Sequence, residues 1–273
     1  MNTDSFSIDA YLKRIGLSAL PTATSAGLKS IVSAQACSIT FENLDVLAGE
    51  AIRLDQSAII TKILHQGRGG YCFELNGLLA LALQTAGFQL SRALARVTYK
   101  RSEPGPFTHM VLLVESEGKE WLVDAGFGGP GLIEPVLLEE SDTIVQRGAR
   151  FRLFKDNTGD FHLQRKIENE WLGLYIISSR AILPIDIEVA NHFVSTWERS
   201  PFRSMFMVAR PNGDMLSTLQ GQEFLVLDSQ LRVKTKSAIE SAEHLRTLML
   251  SVFDVPISEK LAAKVWLRIR SGP

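Results

Sequence analysis

The sequence predicts an α+β fold of three modules, because the hydrophobic pattern changes twice along its 273 residues. The first third carries helical periods, the middle third carries short runs typical of strands, and the last third contains both. We place the modules at residues 1–87, 88–184 and 185–273. Since 45% of the residues are hydrophobic, the chain has enough apolar material for more than one core.

Helix signals in the first module come from capping residues and apolar spacing. Ser7 can cap a helix that ends at Gly16, and Gly87 suits the end of a helix that begins at Cys72. The helix from Cys72 places Leu75, Leu79, Ala82 and Ala86 on one face. Further helical periods run through Leu28, Ile31 and Val32, and through Ile59, Ile60, Ile63 and Leu64.

Seven short runs predict strands in the middle module, which indicates a sandwich or a barrel. They span residues 88–99, 109–114, 119–124, 133–138, 150–154, 161–165 and 171–177. In the last module, a helical pattern follows Pro184 and ends at Pro201. Strand signals then flank residues 211–213 and 228–229, and two helical periods follow them.

The balance of charges excludes several classes of partner. The chain has 29 Lys and Arg against 30 Asp and Glu, a formal net charge of -1, so no basic excess favours nucleic acid or a membrane surface. Residues 1–5 lack a signal-peptide pattern, and no apolar stretch is long enough to cross a bilayer. We expect a cytoplasmic protein that acts on a small molecule.

The only two cysteines, Cys37 and Cys72, are expected to be free thiols in a reducing compartment. A zinc site needs clustered ligands, whereas the five histidines are scattered and neither cysteine has another close by in sequence. We therefore expect no metal site.

Cys72 lies in "GRGGYCFELN", between a glycine pair and the predicted helix. A thiol in the first turn of a helix meets unpaired backbone N–H groups and the positive end of the helix dipole, which favour the thiolate. Gly69 and Gly70 can adopt positive φ and leave room for a carbonyl substrate. The pattern fits a nucleophile, and it also fits a small buried residue behind a glycine turn.

His109 and Asp124 belong to two strand-like runs that flank residues 115–118. If those four residues form the hairpin loop, His109 stands directly opposite Asp124, with Cβ atoms about 4.5–5.5 Å apart. A register slip of two residues would leave them diagonal neighbours on one face. Each residue alone is more typical of an ordinary strand or turn position, but together with Cys72 they fit a Cys-His-Asp triad.

Four blocks resemble the signature sequences of the arylamine N-acetyltransferases, in that family's order. They are "TFENLD" at 40–45, "RGGYCFELN" at 68–76, "THMVLLV" at 108–114 and "LVDAGFGGP" at 122–130. The resemblance implies an N-terminal helical bundle, a central antiparallel β-barrel-like domain and a C-terminal α/β lid. It also implies ping-pong transfer of acetyl from acetyl-CoA to an arylamine or arylhydrazine, with no tightly bound cofactor.

The resemblance also assigns roles to individual residues. Cys72 matches the nucleophile, His109 the base and Asp124 the residue that orients it, while Phe41 and Phe127 match aromatic positions near the acceptor. Gly105 and Thr108 resemble the stretch along which the family's CoA arm passes. The run containing Gly128 and Gly129 can let backbone approach the thioester or the CoA phosphates, although a glycine-rich turn leaving a strand is the simpler interpretation.

The sequence departs from the family at two positions. Gln35 and Thr40 stand where the family usually has a histidine and a proline, which concerns the shape of the acceptor pocket rather than the chemistry. Two other functions also fit the residues. A thiol amidase or peptidase would use the same triad with water, and a binding protein would keep the scaffold without catalysis.

Overall fold

The computed structural model describes residues 6–270. Residues 1–5, on which the expectation of a chain without a signal peptide rests, lie outside the described residues. The helices are α1 Ile8–Ile15, α2 Ser25–Ser38, α3 Leu44–Leu47, α4 Gln56–Ile60 with a π-helical turn Thr61–His65, α5 Cys72–Thr85, α6 Pro184–Thr196, α7 Pro201–Ser204, α8 Ala242–Ser251 and α9 Glu259–Arg270.

The capping residues of the first module fold as predicted. The Ser7 hydroxyl accepts the Ala10 N–H at 3.3 Å, and Gly16 ends α1 with a φ of 74°. At the end of α5, Gly87 has a φ of 93° and donates its N–H to Gln84. A left-handed residue closes a helix at low cost when it has no Cβ.

The strands form two antiparallel sheets. They are β1 Phe41–Glu42, β2 Gln89–Val97, β3 Phe107–Ser116, β4 Lys119–Val123, β5 Val136–Leu137, β6 Ser141–Gln146, β7 Ala149–Lys155, β8 Phe161–Ile167, β9 Glu170–Ile177, β10 Met207–Asn212, β11 Met215–Gln220, β12 Glu223–Leu227 and β13 Val233–Ala238. Eight of them follow the order β5-β4-β3-β2-β9-β8-β7-β6, which makes the barrel-like sheet. The predicted α+β fold is confirmed, with a barrel-like sheet rather than a sandwich.

Two details of this sheet differ from the prediction. The run 133–138 is a strand only at Val136–Leu137, and Ser141–Gln146 is a strand that was not predicted. Within Ser141–Gln146 only Gln146 is buried. A strand with so little apolar alternation cannot be recognised from its hydrophobic pattern.

The predicted register of the β3–β4 hairpin is wrong by two residues. Ser116 pairs with Lys119 and Leu112 with Val123, so the loop is the two residues Glu117 and Gly118 rather than four. Both loop residues have positive φ, 54° and 72°, as a tight type I′ turn requires. His109 and Asp124 are therefore diagonal rather than directly opposed.

The second sheet follows the order β1-β10-β11-β12-β13 and packs against α8 and α9. Its first strand comes from the predicted N-terminal module, because Phe41 pairs with Ala209. The module limits at residues 87 and 184 stay predictions. Within residues 6–270, none of the helices combines the length and the apolar character that a membrane crossing needs.

Candidate active site

Cys72 is the first residue of α5 and is buried, with 3% of its surface exposed. The loop before it lies directly against β1: Glu42 donates its N–H to the Gly70 carbonyl at 2.9 Å. A Cβ on Gly69 would lie 2.0 Å from the Thr40 carbonyl oxygen. The glycine pair is therefore needed for close contacts, with Thr40 at Gly69 and with Glu74 at Gly70, and neither glycine adopts the positive φ that it could take.

A buried group of charges fixes the same loop. Arg68 donates to Glu42 at 2.7 Å and to Asp45 at 2.9 Å, and Lys62 contacts Glu74 at 2.7 Å. The Glu74 carboxylate in turn accepts the N–H of Tyr71, the residue before Cys72. Burial raises the pKa of Glu74, and the charge of Lys62 opposes that rise only in part. These ion pairs link the start of α5 to β1, α3 and the π-helical turn.

His109 on β3 and Asp124 just after β4 form a buried pair. The imidazole Nε2 lies 2.8 Å from Asp124 Oδ2, and the side chains are 4% and 0% exposed. The Cys72 thiol lies 3.7 Å from the Thr108 carbonyl, one residue before the histidine. The Cys72 thiol also interacts with the His109 side chain, so the structure brings Cys72, His109 and Asp124 together, and their catalytic roles stay a prediction.

The electrostatics of the pair favour its charged form. Burial by itself disfavours an imidazolium, but the attraction and hydrogen bond of Asp124, followed by the interaction with Cys72, raise the pKa of His109 to about 10. For Asp124 the signs are reversed. Burial raises the pKa of its carboxyl group, but the charge and hydrogen bond of His109 outweigh burial and leave that pKa lowered. An imidazolium beside the thiol is the partner that a thiolate nucleophile needs.

Asn76 holds Asp124 in place, a role that the sequence analysis did not assign. Its amide N–H groups donate to Asp124 Oδ1 at 3.0 Å and to the Met110 carbonyl at 2.7 Å, and its carbonyl accepts the Ala125 N–H at 3.0 Å. Asn76 lies four residues after Cys72 on α5. The two side chains therefore share one helix face, and this spacing is the signal that could have identified it.

The loop after Asp124 passes directly over the nucleophile. Gly126 donates its N–H to Asp124 Oδ1 at 2.9 Å, and a Cβ on Gly126 would lie 2.8 Å from the Cys72 Cα. Any larger residue at 126 would push the loop away from α5. This close approach explains the glycine in "VDAGF".

Aromatic rings surround the pair. The Phe127 ring lies 5.3 Å from the His109 ring, and the Tyr175 ring lies 5.0 Å from it. Burial raises the pKa of the Tyr175 hydroxyl, and the charge and hydrogen-bonding proximity of Asp124 raise it further. Tyr175 comes from β9, so no local pattern connected it to the site.

Phe41 is buried on the other side of the same loop. The Phe41 ring would be 2.5 Å from a Cβ on Gly128. It packs against the Phe202 ring, with 6.3 Å between the two ring centroids. Phe202 also contacts Tyr71 at 5.9 Å. Phe202 belongs to α7, more than a hundred residues away in sequence, and no sequence pattern predicts its contact with Phe41.

The four candidate CoA residues differ in how far hydrogen bonds and packing contacts already engage them. The Gly105 N–H donates to Val97, and its carbonyl accepts from Arg96. The Thr108 hydroxyl donates to the Pro106 carbonyl at 3.2 Å. Two further candidates lie in the loop past Asp124: Gly128 packs on Phe41, and a Cβ on Gly129 would meet nothing within 4 Å.

The two departures from the family pattern contact the scaffold. Gln35 accepts the Tyr11 hydroxyl at 2.8 Å and donates to the Leu75 carbonyl at 2.9 Å. The Thr40 hydroxyl donates to the Phe253 carbonyl. Both side chains are buried and hydrogen-bonded within the packing around α5 and α8.

Both cysteines are free thiols, with Cys37 half-buried. Within residues 6–270, no group of three or more His, Cys, Asp or Glu side chains could hold a metal ion. A cavity of about 750 Å³ lies along α5, but its lining does not include Cys72, His109 or Asp124. Because the chemistry of the thiol and the histidine–aspartate pair is specific, we take the pair rather than this cavity as the candidate active site.

Comparison with known proteins identifies the family. A family model described as N-acetyltransferase matches residues 25–262. The chain is 37% identical over 226 residues to an arylamine N-acetyltransferase of Mycolicibacterium smegmatis, covering 80% of this chain and 82% of that protein. A Salmonella typhimurium protein named arylamine N-acetyltransferase / N-hydroxyarylamine O-acetyltransferase is 35% identical over 214 residues, covering 77% and 75%.

Solved structures agree with the sequence comparison. The Salmonella typhimurium arylamine N-acetyltransferase superposes with a TM-score of 0.90 at 29% identity, covering 95% of this chain and 97% of that one. The Mycobacterium marinum arylamine N-acetyltransferase in complex with CoA gives 0.89 at 29% identity, covering 97% and 99%. The chain belongs to the arylamine N-acetyltransferase family and is an enzyme of that class.

Proposed function

We propose that the protein transfers acetyl from acetyl-CoA to the nitrogen of an arylamine or arylhydrazine through an acetyl-Cys72 intermediate. The names of the relatives support the reaction, and the CoA complex of the Mycobacterium marinum relative supports the donor. The observation that carries the mechanism is the buried His109–Asp124 pair at 2.8 Å beside the Cys72 thiol. No tightly bound cofactor is needed for this chemistry.

In the first half-reaction, the Cys72 thiolate attacks the thioester carbonyl of acetyl-CoA. The new C–S bond forms, the bond to the CoA sulfur breaks, and the His109 imidazolium gives its proton to the departing CoA thiolate. The N–H groups of Ala125 and Gly126 are already donated to Asn76 and Asp124. The unpaired N–H groups in the first turn of α5 are therefore the donors available to the developing oxyanion.

In the second half-reaction, the amine nitrogen attacks the carbonyl of acetyl-Cys72. Neutral His109 accepts the proton of the amine, the C–S bond breaks, and the thiolate is restored next to the imidazolium. Asp124 keeps the imidazole in one orientation through both steps, and Asn76 and Gly126 keep Asp124 in place. Phe127 and Phe41 supply flat apolar walls for the aromatic ring of the acceptor.

The role in CoA binding is proposed for the loop residues with the freest surroundings. Gly129 has open space beside its Cα, whereas both backbone groups of Gly105 are already hydrogen-bonded. We therefore propose that Gly129 lines the path of the CoA arm, and that Gly128, which packs on Phe41, contributes with Gly105 and Thr108 through the shape of the two loops.

The test is intact mass spectrometry of the protein mixed with acetyl-CoA alone, followed by peptide mapping. We expect one acetyl group on Cys72, no acetyl group on a Cys72→Ala variant, and unchanged labelling of a Cys37→Ala variant. An acetyl group on Cys37, or no covalent acetyl-enzyme at all, would refute the proposal. Rapid loss of the acetyl group to water without an amine would favour the thiol hydrolase instead.

A further inference from the structure

One charged residue of the cavity, Arg92, lies on β2 near the point where the β2–β9 ladder ends. The two strands pair only from Ala95 to Val97, and Ser178 then donates its N–H to the Leu94 carbonyl at 3.1 Å. Beyond that bond the chain turns away from β2 toward α6. The part of β2 before Leu94, residues 91–93, therefore borders the cavity of about 750 Å³ described above.

The floor of this cavity is apolar and buried. It includes Phe73 from α5, Met110 from β3, and Ala93 and Ile177 from the two diverging strands, each at most 3% exposed. Its rim continues as an apolar surface at Leu183, which is 66% exposed. A ligand with an apolar body would remove this surface from water.

Arg92 supplies the charged end of the cavity. Arg92 pairs with Leu112, which is buried in the core beneath α5, so the arginine leaves β2 on the same side as α5. The Arg92 side chain has no hydrogen bond, ion pair or ring contact to any of residues 6–270.

The surroundings of Arg92 leave its charge uncompensated. Neighbouring atoms lower the pKa of its guanidinium by desolvation, and no carboxylate acts in the opposite direction. Glu120 and Glu188 line the same cavity, but neither contacts the arginine. Arg92 is exposed, so its guanidinium can meet a bound anion without first breaking an ion pair to any of residues 6–270.

We propose that this cavity binds an organic anion with an elongated apolar body, of which a medium-chain carboxylate is the simplest example. Arg92 can hold a carboxylate through two parallel N–H bonds, while the chain lies over Phe73 and Met110 toward the apolar rim. The unpartnered side chain of Arg180, also on the cavity wall, adds positive charge. The cavity does not include Cys72, so this site is separate from the proposed acetyl transfer.

Isothermal titration calorimetry with dodecanoate as the ligand tests the site. The variant is Arg92→Gln, and the matched control is Arg150→Gln, which removes another exposed, unpartnered strand arginine that does not line the cavity. We expect saturable binding at one site, binding weakened roughly 10- to 100-fold in Arg92→Gln, as for loss of a charge-assisted bond, and unchanged binding in Arg150→Gln. Dodecanol, which has the chain without the charge, should bind more weakly than dodecanoate.

Folding and location are controlled separately. Leu183→Asp places a negative charge on the exposed rim without touching the core, so it should also weaken dodecanoate binding if Arg92→Gln is too unstable to titrate. Acetylation of Cys72 by acetyl-CoA should proceed at an unchanged rate with dodecanoate bound. Absence of saturable binding, equal binding to wild type and Arg92→Gln, equal weakening in Arg150→Gln, or competition with acetylation would each overturn the proposal.

Discussion

Residues 6–270 contain two histidine–aspartate pairs with nearly the same geometry and very different surroundings. His109 lies 2.8 Å from Asp124, and His162 lies 2.9 Å from Asp156. The first pair is buried, whereas the side chains of the second are 23% and 33% exposed. Each histidine also has a phenylalanine ring beside it, at 5.3 Å and 4.8 Å respectively.

The two pairs differ in the groups that hold the aspartate in place and in the group that lies beside the histidine. Asp156 belongs to a turn, where hydrogen bonds from Thr158 and then His162 lower its pKa. Asp124 instead accepts a hydrogen bond from Asn76, which belongs to the helix that begins with Cys72. A histidine–aspartate contact therefore indicates a reactive site only when burial strengthens it and a nucleophile lies beside it.

The largest expected effect separates the two pairs directly. His109→Gln should slow acetylation of Cys72 by about 10⁴-fold, the scale reached when one member of a triad is disabled. His162→Gln removes the matching residue of the exposed pair and should acylate at the wild-type rate. Single-turnover acylation with acetyl-CoA measures both rates, and a comparable loss in the two variants would show that the buried pair has no special role.

A smaller effect is expected from the residues that hold each aspartate. Asn76→Ala removes the hydrogen bond to Asp124 and should lower the acylation rate roughly 10- to 100-fold, since hydrogen bonds to charged groups contribute about 1.5–3 kcal/mol. Thr158→Ala removes the corresponding 2.7 Å bond to Asp156 and should leave the rate unchanged. If Asn76→Ala acylates normally while folding normally, Asp124 does not depend on it.

The rings beside the two histidines give a third comparison. Phe127→Ala should reduce turnover of bulky arylamines by roughly tenfold and of small hydrazines by less, because ring stacking contributes about 0.5–1.5 kcal/mol beyond buried area. Phe154→Ala removes the ring stacked on His162 and should affect neither acceptor. Steady-state rates with a large and a small acceptor measure this selectivity. Equal losses for both acceptors in Phe127→Ala would show that the residue is only core packing.

The smallest effect concerns stability as a function of pH. The folded-state pKa of His109 is about 10, above the unfolded value of about 6.5. The protonated histidine therefore stabilises the fold fully below about pH 6.5 and loses this contribution as the pH rises through the folded value. The difference in Tm between wild type and His109→Gln should shrink as the pH approaches 10. A difference that grew with pH would contradict the raised pKa, and His162→Gln controls for general effects of pH.

Much of the fold was predictable because its signals are local. Ser7, Gly16 and Gly87 mark helix ends through their own backbone chemistry, and most strands of the barrel-like sheet have an apolar alternation. The strand Ser141–Gln146 lacks that alternation. The pairing of Phe41 with Ala209 joins segments far apart in sequence, so no local pattern near residue 41 predicts it.

The candidate site shows the same division. Cys72, His109 and Asp124 were found from a helix start and a hairpin, and a register error of two kept the pair on one face. The Asn76 side chain points at Asp124 because of how α5 packs against the sheet, and this packing could not be predicted from the local sequence. Tyr175 and Phe202 arrive from β9 and α7, whose placement only the folded chain determines.

The central claim is that His109 and Asp124 activate Cys72 as one unit. Its most direct test is single-turnover acylation of wild type, His109→Gln, Asp124→Asn and the double variant by acetyl-CoA. We expect each single variant to lose about 10⁴-fold and the double variant to be little worse than either, because residues acting as a unit are strongly non-additive. An Asp124→Asn protein that acylates at the wild-type rate, or two losses that multiply in the double variant, would contradict the account.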